Sequence, residues 1–154
     1  MSALERMLQR AVERLESGGV PDEALAVLRP AKRIGPVVRG PRFTAKGRAW
    51  RLGALLVSRD GALYSTGTVT RAIVPKDFAA NKSPAEAARR ELQRAAARGP
   101  FAPGESVNHG YRPALGDSVV DRDGVPVLRL PDADVPLEAY LDDRIRTALE
   151  PRGV

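Results

Sequence analysis

The chain predicts an α+β fold: N-terminal helices, a curved, mainly antiparallel sheet built from two Asp-Gly hairpins, a middle helix and a C-terminal helix. Three observations carry this expectation. Ser2-Ala3-Leu4-Glu5 and Ser83-Pro84-Ala85-Glu86 are capping boxes, the first of them opening a run of apolar residues at helical spacing. Asp60-Gly61 and Asp123-Gly124 each separate two β-favouring stretches, and such pairs supply the positive φ values of a tight turn. The resulting order αα, ββ, α, ββ, α segregates helices from hairpins, unlike the strict alternation of a parallel α/β sheet.

In chain order, Leu4, Met7, Leu8, Ala11, Val12 and Leu15 recur on one helical face until Gly18-Gly19 ends it. Pro21-Asp22-Glu23 opens a short second helix to about Leu28, stopped by Pro30. Pro30, Gly35, Pro36, Gly40, Pro41 and Gly47 then make residues 29–47 an irregular surface arm. From Ala49 to Ile73 the pattern is one wide hairpin about Asp60-Gly61. A two-residue turn there pairs Val57 with Tyr64, Leu55 with Thr66, Gly53 with Thr68 and Trp50 with Arg71, and turns Trp50, Leu52, Leu56, Leu63 and Val69 to the core. Gly53 and Gly67, lying in the two opposed strands, imply strong bending toward a barrel-like sheet. A helix follows to about Ala97, a loop-rich stretch with a short strand near Val107, and a second hairpin from Ser118 to Leu130. A last helix carries Leu137, Tyr140, Leu141, Ile145 and Leu149. The expected organisation is one domain over 154 residues: a helical N-terminus (1–28), a basic arm (29–48), a sheet (49–130) with an inserted helix (83–98), and a C-terminal helix (135–149).

Composition excludes several chemistries. Without cysteine there is no disulfide, thiolate metal site or cysteine nucleophile, and a single histidine, His109, rules out a zinc site needing two. Asp121, Asp123 and Asp132 imitate part of a calcium loop, but Val125 and Pro126 stand where a ligand and the turn glycine belong. Gly40 to Gly47 resembles a phosphate loop in composition only, since Lys46 precedes Gly47 and Arg48 follows it. No metal or other cofactor is expected. The N-terminus lacks the apolar run of a signal peptide and no stretch is long enough for a membrane span, so a cytoplasmic protein without membrane contact is expected.

Charge is the strongest functional signal. The net +6 divides into −2 over residues 1–28, +10 over 29–82, +2 over 83–112 and −4 over 113–154. Arg29, Lys32, Arg33, Arg39, Arg42, Lys46, Arg48 and Arg51 fall in a stretch with no acidic residue. Such a block expects an anionic partner, nucleic acid or another polyanion, or else cover by the acidic tail through Asp132, Asp134, Asp142 and Asp143. Arginine-rich composition with abundant Ala, Gly and Pro also follows from a G+C-rich genome, which weakens arginine as a signal by itself. Two further surfaces are readable: a row of Arg51, Tyr64, Thr66, Thr68 and Thr70, and a stripe of Arg90, Arg94 and Arg98 offset by Glu86 and Glu91.

Other functional classes stay open. His109, in the polar run Asn108-His109-Gly110-Tyr111, is the candidate catalytic residue of a small hydrolase or amidase, with Asp117 and Asp121 as nearby carboxylates. A structural subunit of a homo-oligomer, packing through Trp50, Tyr140 and the terminal helices, is the third class. Through Arg29-Pro30-Ala31-Lys32-Arg33-Ile34-Gly35-Pro36, Gly47-Arg48-Ala49-Trp50-Arg51-Leu52-Gly53, Thr70-Arg71-Ala72-Ile73, Arg98-Gly99-Pro100-Phe101 and Gly104-Glu105-Ser106-Val107, the chain resembles short actinobacterial proteins of unknown function. Some of these carry a glutaminase label. Serine-dependent glutaminases use a Ser-x-x-Lys nucleophile, which this sequence does not contain, so the resemblance implies no catalytic residue.

Overall fold

The computed structural model describes residues 1–76 and 83–151, and it is α+β, with helices at the N-terminus, in the middle and at the C-terminus and mostly antiparallel sheets. The helices are α1 (Ala3–Ser17), α2 (Pro84–Ala97) and α3 (Leu137–Leu149). The chain folds as two compact units, Met1–Asp22 with Ala49–Thr66 and Tyr111–Val154, and Glu23–Arg48 with Gly67–Gly110.

In the first unit the reciprocal bonds between Ser2 and Glu5 start α1, which buries Leu8, Ala11 and Leu15. These pack with Trp50, Leu52, Leu55, Val57, Leu63 and, from α3, Leu137, Leu141 and Ile145. Ala49–Leu52 is the last part of strand β4 (Arg42–Leu52); it is followed by β5 (Leu55–Ser58), β6 (Leu63–Ser65) and β9 (Arg112–Pro113), which pair in that order. All four β5 residues are buried, and because successive side chains point to opposite faces, both faces of this strand are covered. Strands β10 (Val119–Arg122), β11 (Val125–Arg129) and β12 (Asp134–Pro136) form a separate antiparallel sheet.

The wide hairpin expected from Ala49 to Ile73 is instead a meander. The chain already turns at Gly53-Ala54, pairing Leu52 with Leu55 and Trp50 with Val57. Gly53, at φ 64, takes the first turn position that a side chain resists. At Asp60-Gly61 the loop is longer than two residues, because Ser58 N donates to Ala62 O and only Gly61 adopts positive φ. The register therefore slips by one from the expected one: Val57 faces Leu63, not Tyr64, and Leu55 faces Ser65, not Thr66. Asp123-Gly124 does make the expected two-residue turn, both residues at positive φ and Arg122 opposite Val125. The Trp50–Arg71 pair does not form; the Arg59 guanidinium lies 4.6 Å from the Trp50 ring centroid, and Arg71 sits in a strand of the other unit.

The second unit holds β1 (Glu23–Arg29), the first part of β4, β7 (Thr68–Arg71) and β8 (Ser106–His109), in the order β7-β8-β1-β4. The expected second helix is thus a strand. Helix propensity in Glu23–Arg29 is overridden by parallel pairing with β8, Ala24 opposite Val107 and Leu25 opposite Asn108, which turns Ala24 and Ala26 into a core with Phe43, Val107, Ala95 and Ala96. The arm is not irregular either: β2 (Lys32–Ile34) and β3 (Val37–Arg39) form a hairpin of their own. Among the described residues β7 and β9 each pair along one side only, so no barrel closes.

Replacing Tyr140 with Phe tests the early turn, since the Tyr140 hydroxyl accepts from Ala54 N at 2.9 Å. Leaving that part-buried amide without its partner should cost about 1–3 kcal/mol, read as a lower midpoint in urea unfolding with an unchanged slope.

Candidate nucleic-acid interface

Strands β1 and β4 are neighbours, so the residues between Arg29 and Arg42 must leave one strand and return to the next. They do so as the β2–β3 hairpin. Gly35 at φ 59 followed by Pro36 makes its two-residue turn, pairing Ile34 with Val37, Arg33 with Val38 and Lys32 with Arg39. Opposed residues share a face, so Lys32, Arg39, Ile34 and Val37 lie on one side and Arg33 and Val38 on the other. All are exposed.

Like charges directly opposite one another in a ribbon repel, and a carboxylate nearby is the usual relief. Among the described residues none of Arg29, Lys32, Arg33, Arg39, Arg42 and Lys46 pairs with one. Arg42 and Lys46 also share a face of β4, opposite the buried Phe43. Two of the residues singled out by sequence behave differently. Arg48 is held by Glu105, and Arg51 falls in the other unit and is not free. The acidic tail is engaged within its own unit, Asp134 with Arg122 and Asp142 with Arg14 and Arg146.

The pairing that would align Arg51, Tyr64, Thr66, Thr68 and Thr70 does not occur: Arg51 faces Leu56, Tyr64 packs edge-on against Tyr111, and Thr70 is buried opposite Val107. In α2, Arg90 meets Glu86 and Arg94 meets Glu91, and Arg98, which caps the helix, donates to Pro41 O at 2.9 Å, so that stripe is largely spent inside its unit.

Comparison with known proteins finds no matching family model and no significant match among curated proteins or solved structures.

His109 closes β8, its ring 4.6 Å from that of Phe43 and its Nε2 2.9 Å from Thr70 Oγ1. Both expected carboxylates have partners within their own unit, which is not that of His109. Asp117 accepts from Ser65 and Arg112, and Asp121 accepts from Gly124 N to brace the second hairpin's turn. Ser65, buried, also shares a 2.6 Å bond with Ser118, a polar network with no motif spacing to announce it in the sequence. The Ser65 hydroxyl, then Arg112, holds the Asp117 carboxyl below its usual range. Of the remaining aromatic candidates, Trp50 is buried and donates to Val20 O at 2.8 Å, and Tyr140 is half-buried. Among the described residues no group of three or more metal-ligating side chains is gathered, and no helix is long and apolar enough to cross a membrane.

Burial pushes the His109 imidazole down from its ordinary value, because a desolvated ring disfavours the imidazolium. The unfolded chain then binds this proton more readily than the folded one. Stability from the neutral ring is present above the unfolded value, about pH 6.5, and is lost as pH falls below it. Unfolding midpoints measured from pH 7 down to pH 5 should therefore fall more steeply for the wild type than for His109→Gln, and equal slopes would remove the ring from this role.

Proposed function

We propose that this protein binds a polyanion, nucleic acid foremost, through the cations of the β1–β4 connection and of β4 itself. The observation that carries this reading is the uncompensated cluster Arg29, Lys32, Arg33, Arg39, Arg42 and Lys46, with Lys32 and Arg39 directly opposed on an exposed ribbon. A neighbouring phosphate chain relieves that repulsion, and release of its counterions favours binding without reading sequence. Roles are divided by position. Lys32, Arg33 and Arg39 line the hairpin, Arg42 and Lys46 extend the cationic track along β4, and Arg48 serves the fold through Glu105. Hydrolase chemistry at His109 has weaker support, because the hydroxyl it meets belongs to a buried strand residue and no carboxylate orients the ring among the described residues.

Affinity for duplex DNA, duplex RNA and single strands, measured across a series of salt concentrations, tests the reading. If all six cations contact phosphates, the log–log slope on duplex DNA should approach about −5. Lys32→Gln, Arg39→Gln and Arg42→Gln together should flatten it by about 2.7 and weaken all sequences alike. Arg48→Gln should leave the slope nearly unchanged and lower thermal stability instead, since Glu105 would lose its guanidinium partner and, among the described residues, keep only Ala102 N. A wild type with no affinity for any of these polymers at low salt would overturn the proposal.

A further inference from the structure

The hairpin carries a second feature that charge alone leaves unexplained. Ile34, Val37 and Val38 are 50%, 56% and 66% exposed, a concentration of large aliphatic surface at the end of one short ribbon. A ribbon that met only phosphates would gain from polar side chains at its tip. This one has Ile34-Gly35-Pro36-Val37, which offers no side-chain donor or acceptor at all.

We infer that the tip is an apolar wedge that enters the minor groove of duplex DNA and kinks it, a role that rests on the polyanion reading and assigns its ligand. Lys32 and Arg39 stand two residues behind Ile34 and Val37 on the same face, about 7 Å at the rise of a strand. The minor groove is about 7.5 Å deep. Cations that meet phosphates at the groove's rim thus place the aliphatic pair near its floor. There, apolar side chains unstack a base step, and the bent duplex wraps more of the protein. The major groove is a poor match, because its code is read by hydrogen-bonding side chains that the tip lacks. Gly35-Pro36 favours this insertion, since proline fixes one turn dihedral and removes an N–H that would otherwise be desolvated at the base step. Recognition is then of deformability, favouring pyrimidine–purine steps such as TA over stiff A-tracts.

The test uses the full chain and short duplexes carrying a fluorophore at each end, one with central TA steps and one with an A-tract, with affinity and energy transfer recorded together. Wild type should raise energy transfer, consistent with a kink of about 20–90°, and should prefer the TA duplex. Ile34→Ser with Val37→Ser should keep the salt slope, lose the kink and weaken TA-duplex binding by about ten-fold. Both positions are exposed, and a thermal melt of the double variant confirms that the fold is intact. Salt-dependent binding without any change in energy transfer, or an equal kink from the double variant, overturns the wedge and leaves the polyanion reading standing. Absence of binding to either duplex at low salt overturns both. Tighter binding to phosphatidylserine vesicles than to either duplex, lost in the double variant, reassigns the tip to lipid and overturns the wedge.

Discussion

The buried carboxamide of Asn108 is the tie on which the second unit depends. It donates to Ala24 O at 3.1 Å and to Glu23 Oε1 at 3.0 Å, fastening β8 to β1 where the two run parallel. A buried amide left without acceptors would cost more than most single contacts in a small domain return, so the pairing is specific as well as favourable. Once β1 is a strand beside β8, its free edge takes β4, and the residues between β1 and β4 are forced out as a ribbon. The basic segment is presented at the surface for that topological reason.

The cores of the two units differ in kind. The first is filled by Leu, Ile, Val and Trp50 from two helices and several strands, whereas the second is largely alanine, with Phe43, completely buried, as its large filler. Alanine contributes little apolar area, so orientation there leans on polar ties: Asn108 to β1, His109 to Thr70, Arg48 to Glu105. This explains why a stretch dominated by charge still contains side chains that are structural, and why Arg48 belongs with Glu105 despite standing in the same basic run as Arg42.

Local chemistry made some elements readable. The reciprocal cap at Ser2 and Glu5, Pro84 after the Ser83 cap, and the two-residue turn at Asp123-Gly124 are each decided within a few residues, and all appear where the pattern places them. Glu23–Arg29 was not decided locally, because its partner Val107-Asn108 lies far along the chain. The short interval between Pro21 and Pro30, too brief for a self-supporting helix, was the available hint. Gly35, Pro36, Gly40 and Pro41 suggest irregularity by composition, yet the first two are the turn of a regular hairpin and the last two its return to β4. As for the site, the composition of the arm was legible. Pairing decided the rest: which cations are spent on Glu105, and which aliphatics share their face, emerge only from register and contact.

The β2–β3 hairpin also bears on how the protein coexists with copies of itself. A short ribbon with exposed Ile34, Val37 and Val38 and, among the described residues, no strand paired along its outer edges is a template for edge-to-edge pairing between chains. Lys32, Arg33 and Arg39 are interleaved with those aliphatics and act as gatekeepers, since a second hairpin approaching in register would bring cation against cation. The charges that the proposed function assigns to a polyanion therefore also oppose this pairing between hairpins. That repulsion is strongest at low ionic strength and weakens as salt screens the ribbon.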